Sequence, residues 1–179
     1  MLIKILLVLG VLIGAFSLFV ASRPATFRIE RSLAIGASPA TLFPHLNDLK
    51  KAQVWSPWMN LDPAAKITFE GPPTGVGAAS TWAGNNAIGE GRQTIVASRP
   101  DESVQLRLDF KKPFASTCTA EFTLKPDGGR TVVTWSMSGE NNFFVKAVCL
   151  FLNQDKMIGG PFEEGLGNLR RLAESPPTD

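Results

Sequence analysis

Two residues stand out as a chemical pair. Glu90 and Arg92 lie two positions apart in a stretch of strand character, where alternate side chains share a face. Buried together, such a pair orients a carbonyl or works as an acid–base unit; exposed, it is an ordinary or cross-strand ion pair. The acid–base reading requires Glu90 to face a cavity with a raised pKa. Arg31, Asp109 and Asp155 are weaker candidates. Arg31 falls on the apolar side of an alternating run, either as a charge at a sheet rim or as the polar group of a pocket. The remaining inventory is limiting: one histidine, His45, and two cysteines, Cys118 and Cys149, far apart in the chain. With no CxxC, HxxxH or HExxH spacing, neither a metal site nor a cofactor is expected. The two thiols either pair, if the domain lies outside the cytoplasm, or serve as small buried hydrophobes.

The apolar signal is stronger than the polar one. Val54-Trp55-Ser56-Pro57-Trp58-Met59 sets two indoles on a loop, where they are costly to expose and must cap a core or line a cavity mouth. Trp55, Trp58, Trp82, Phe110, Trp135, Met137, Phe144 and Phe151 together form the expected ligand-binding set. Aromatic and methionine side chains suit varied apolar ligands, although any one of these residues taken singly is equally a core residue.

The 18 basic and 16 acidic residues give a net charge of +2, and the basic pairs Lys50-Lys51, Lys111-Lys112 and Arg170-Arg171 are scattered. That balance argues against a nucleic-acid partner. The segment from Leu2 to Ala21 is apolar except for Lys4 and Ser17. About 20 helical residues span the ~30 Å hydrocarbon core, and Ser22-Arg23-Pro24 supplies a polar stop. Residues 1–23 are therefore expected to be a single-pass membrane anchor, with a cleaved signal peptide as the alternative. Lys4 argues for the N-terminus inside and Arg23, Arg28 and Arg31 for the opposite; a short tail before a single span favours an extracytoplasmic domain.

From Thr26 the apolar period becomes two: Phe27, Ile29, Leu33 and Ile35 alternate with polar or small residues. Ser38-Pro39 opens a short helix with Leu42, Leu46 and Leu49 on one side and His45 at its boundary. About six short strands follow, the clearest being Val104, Leu106, Leu108 and Phe110, separated by turns such as Gly84-Asn85-Asn86 and Asp127-Gly128-Gly129. Phe143 to Met157 reads as helix, broken or kinked at Gly159-Gly160-Pro161, and Phe162, Leu166, Leu169 and Ala173 resume the helical period. The expected fold class is α+β: residues 24–175 form a curved antiparallel sheet wrapped around a long C-terminal helix, and 176–179 form a flexible tail. A deeply curved sheet does not close completely on its helix, so an apolar cavity is expected between them.

This order of elements resembles the helix-grip, START-like superfamily known as SRPBCC, which includes polyketide cyclase/dehydrase-type and lipid-transfer proteins. The resemblance rests on Arg31-Ser32, Ser38-Pro39 with Phe43, Trp55-Ser56-Pro57-Trp58, Phe69-Glu70-Gly71-Pro72 and Gly75-Val76-Gly77. Further along it rests on Trp82-Ala83-Gly84-Asn85, Gly89-Glu90-Gly91-Arg92, Met157-Ile158-Gly159, Phe162-Glu163 and Gly165-Leu166. It covers roughly residues 25 to 174, implies the fold, and carries over no catalytic residue because no catalytic motif matches. The leading expectation is a membrane-anchored binding or transfer domain for a hydrophobic, lipid-like or aromatic small molecule. A cyclase- or dehydrase-like enzyme using Glu90 and Arg92, and an envelope-associated interaction scaffold with a filled core, are the alternatives.

Overall fold

Period-two patterning builds most of the molecule. In the computed structural model, which describes residues 1–175, seven strands form one antiparallel sheet in the order β1-β7-β6-β5-β4-β3-β2. The strands are β1 (Thr26–Ile35), β2 (Lys66–Glu70), β3 (Ala79–Ala83), β4 (Glu90–Arg99), β5 (Ser103–Lys112), β6 (Ser116–Asp127) and β7 (Arg130–Glu140). After β2, every strand pairs with its predecessor, and β1 closes onto β7. Register breaks in β4, at Glu90/Gly91 and Ile95/Ala97, add the local bend and twist that curve a sheet. One face carries Leu106, Leu108, Cys118, Ala120, Phe122, Val133, Trp135 and Met137, all buried. The tail 176–179 lies outside the described residues.

The helices sit where sequence and capping place them. Helix α1 (Leu2–Ala21) has a mean hydropathy of 2.6, enough to cross a membrane by length and composition. Helix α2 (Pro39–Asn47) starts with Ser38 accepting from the Thr41 N–H, and buries Leu42 and Leu46. The expected aromatic loop is shorter than its sequence suggests. Asp48 caps a further helix, α3 (Leu49–Trp55), by accepting from the Lys50 and Lys51 N–H groups, and a 3-10 turn, Pro57–Asn60, follows. Helix α4 (Phe143–Cys149) precedes the long α5 (Gln154–Glu174), which lies along β1 and against the 3-10 turn.

The break between the last two helices falls earlier than Gly159-Gly160-Pro161. Asn153 N-caps α5 by accepting from the Lys156 N–H, so the helix restarts there and runs through the glycine pair and Pro161. Gly159 has a packing reason instead: a Cβ on it would lie 2.2 Å from the Arg31 guanidinium.

Candidate functional site

Between α5 and the sheet lies a closed aromatic stack. The Phe162 ring stacks on Trp135 at 4.1 Å and 11°, Trp55 meets Trp135 edge-on at 5.6 Å, and Phe122 completes the group at 4.9 Å from Trp135. Gly165 admits this stack, since a Cβ there would stand 2.8 Å from Trp135 Cζ3 and 3.0 Å from Pro57 Cδ. The Trp55 indole donates to the His45 carbonyl at 3.1 Å. The Trp135 indole is the one buried side-chain N–H without a partner among the described residues, which costs about 1–3 kcal/mol. Trp55 and Trp135, expected at a pocket or its mouth, are therefore packed inside the core.

Trp82 and Phe110, on β3 and β5, are only half-buried. Trp82 faces Gly91 across the β3–β4 pair, and its ring occupies the space of the absent side chain: a Cβ on Gly91 would lie 2.4 Å from Trp82 Cζ2. Its indole donates to the Ile88 carbonyl at 3.0 Å, and its ring meets Phe110 at 5.7 Å and 77°. Trp58, Trp82, Phe110 and Ile158 pack against the core while remaining half-buried, with Leu108 and Met137 at the boundary of burial. On the same face of the sheet as Trp82, the Gln93 amide donates to Ser80 Oγ at 2.9 Å. Sequence reasoning missed that polar pair. Its only signal is phase: Ser80 precedes Trp82 by two and Gln93 follows Gly91 by two, so both share the apolar face.

Glu90 and Arg92 are engaged with different partners. Register sets them opposite Ala83 and Thr81, on the face away from Trp82 and Phe110. Arg92 donates to Glu70 at 2.6 Å, while Glu90 takes Lys112 at 3.0 Å and Lys111 at 3.8 Å. The Lys112 hydrogen bond and charge hold the Glu90 carboxyl below its ordinary range, the opposite of what a general acid at neutral pH requires. Asp109 is also held low, by Thr117 Oγ1 at 2.8 Å and by Arg107. Burial raises the Cys118 thiol, and both cysteines are free. Phe144 and Phe151, expected on the pocket wall, are 56% and 80% exposed, on and just after α4.

Arg31 stands at the sheet rim and ties α5 to β1. Its guanidinium donates to both Asp155 oxygens, at 3.0 and 2.7 Å, to Glu163 at 2.6 Å and to the Glu30 carbonyl. The Arg31 hydrogen bonds and charge depress the Asp155 carboxyl below its ordinary value. A depressed folded-state pKa contributes stability above the unfolded value, about 3.9 for aspartate, and that stability is lost as pH falls through the folded value. Thermal melts should show Tm falling between about pH 5 and pH 3, and falling less steeply in Asp155→Asn. Identical slopes would remove Asp155 from the acid sensitivity.

The profile of the family described as "Polyketide cyclase / dehydrase and lipid transport" matches residues 26–174, most of the chain. No curated protein sequence matches. Among solved structures, protein CV1439 from Chromobacterium violaceum superposes with a TM-score of 0.60 at 14% identity, covering 86% of this chain and all (100%) of that one. The Aha1 dimer from Colwellia psychrerythraea gives 0.57 at 18% identity, over 83% of this chain and 96% of that one. Protein Ms6760 from Mycobacterium smegmatis gives 0.57 at 14% identity, over 84% and 93%. At such identities these similarities speak for the fold alone. The family match, the curved sheet and the gripped C-terminal helix together make this chain a member of the polyketide cyclase/dehydrase and lipid transport family, of the SRPBCC helix-grip type.

Proposed function

We propose that the chain is a membrane-tethered binding or transfer domain for an apolar small molecule, lipid-like or aromatic. The observation that carries this reading is the half-buried Trp82–Phe110 pair, with Trp58 and Ile158 also half-buried against the same core as the Trp55–Trp135–Phe162 stack. Apolar walls with a few placed polar groups are the usual chemistry of small-molecule sites, and the Ser80–Gln93 pair supplies such a group. The family's lipid transport members support the ligand class. Helix α1, apolar except for Lys4 and Ser17, provides the tether. The acid–base alternative draws no support from Glu90, whose carboxyl is ion-paired and held low.

The core cluster contains no residue of α1, so we infer that residues 24–175 fold as a unit and that 24–179 can be studied without the helix. Native mass spectrometry of that form, with lipid extraction, should find a reproducible co-purifying apolar molecule. Trp82→Ala and Phe110→Ala should each weaken its retention, or that of an apolar fluorescent probe, by about tenfold, the loss of roughly 1.5 kcal/mol of aromatic contact. A clean apo mass with unchanged probe affinity in both variants would sink the binding reading and favour a scaffold with a filled core.

A further inference from the structure

We propose that α4 and the β5–β6 turn form a membrane-contacting face, through which the domain lies against the bilayer that α1 enters. This rests on the tether reading above and adds a second attachment to it. Ten of the chain's phenylalanines lie outside α1, and the four of these that are exposed are all in this region: Phe114 at 48%, Phe143 at 50%, Phe144 at 56% and Phe151 at 80%. Leu152 at 47% and Met157 at 60% extend the cluster along the chain. Phe114, at the tip of the β5–β6 turn, touches Phe144 with ring centroids 5.2 Å apart, so turn and helix contribute to one surface. The domain's other exposed large apolar residues, Val54, Leu61, Val76, Val96 and Leu172, are dispersed in sequence. A concentrated aromatic patch of this kind marks a contact surface, and aromatic rings favour the membrane–water boundary.

Its position identifies the occupant. Helix α4 packs against α1, and Lys146 donates to the carbonyls of Ala21 and Arg23, the end of the apolar span, at 3.0 and 2.9 Å. The patch therefore begins where α1 leaves the hydrocarbon, at the depth of the headgroups. Cations are also close. Lys111 and Lys112 immediately precede the Phe114 turn, with side chains 64% and 73% exposed, and Arg23 and Lys146 line a cleft of about 390 Å³ between the start of β1 and α4. Glu90 partly offsets the first two. Aromatic side chains beside lysines and arginines suit insertion among phospholipid headgroups, and exposure of four phenylalanines to water alone would be costly.

The test uses the full chain in phosphatidylcholine vesicles containing a minority of phosphatidylglycerol. In a background of Cys118→Ala and Cys149→Ala, single spin labels are placed by Leu12→Cys, Phe151→Cys and Arg170→Cys, all at exposed positions. Each label's collision rate with oxygen, which concentrates in lipid, is compared with that of a water-soluble nickel chelate. The proposal expects oxygen to exceed nickel several-fold at residues 12 and 151, with the shallower depth at 151, and the reverse at residue 170. A lipid-embedded label at 12 with a nickel-accessible label at 151 would overturn this proposal while leaving the tether intact. A label at 151 shielded from both reagents would mean protein contact, as with a second copy, and would also overturn it. A nickel-accessible label at 12 would overturn the tether reading and this proposal together.

Discussion

Phe162→Ala should cost the domain about 3–5 kcal/mol, the usual loss for truncating a fully buried phenylalanine. The ring has no exposed surface and lies flat on Trp135 at 4.1 Å. With Leu166 and Leu169 it seats α5 in the core, so its removal takes contacts from the indole as well as from the helix. The Trp135 N–H already lacks a partner, and the void would sit against the face of that same ring. Urea denaturation of residues 24–179 should show a lowered midpoint with an unchanged slope, the signature of lost native stability. Leu172→Ala, at a residue 36% exposed on the same helix, should stay within about 0.5 kcal/mol and serves as the control. A Phe162→Ala loss below about 1 kcal/mol would mean that α5 is not seated on this stack.

The fold was legible because its signals are periodic and local. Alternation in Val104–Phe110 marks β5, and Ser38 with Pro39 marks the start of α2. The apolar spacing of Phe162, Leu166 and Leu169 marked the buried face of α5. The helix break was misplaced because a glycine pair followed by proline is a strong local stop signal. Here tertiary contacts overrule it: the Arg31 guanidinium occupies the space beside Gly159, and Asn153 supplies the cap earlier. The setting of each aromatic residue was not legible. Trp82 and Phe110 are half-buried against each other, whereas Trp55 and Trp135 fill the core and Phe144 and Phe151 face outward. An apolar ring has the same sequence signature in all three settings. Which setting it occupies is decided by register and helix placement, over contacts distant in the chain. The same limit applies to Glu90 and Arg92: spacing put them on one face, but pairing with β3 decided which face.

Gly91→Ala tests that pairing and the seat of Trp82 together. A Cβ on Gly91 would lie 2.4 and 2.6 Å from Trp82 Cζ2 and Cη2, and 2.8 Å from the Asp109 carbonyl oxygen. The indole cannot easily yield, because its N–H is held by the Ile88 carbonyl at 3.0 Å and its ring rests on Phe110. Overpacking of this kind costs about 1–3 kcal/mol. Most of that strain should vanish when the ring is absent, so Gly91→Ala should cost at least about 0.5 kcal/mol less in a Trp82→Ala background. The contact with Asp109 would persist, so the rescue is partial. On the binding reading, Gly91→Ala should also weaken apolar-probe binding while Trp82 is still present, because the indole has been moved and not removed. Equal costs in both backgrounds would mean that Trp82 does not lie over this strand, and the binding reading would lose its main aromatic surface.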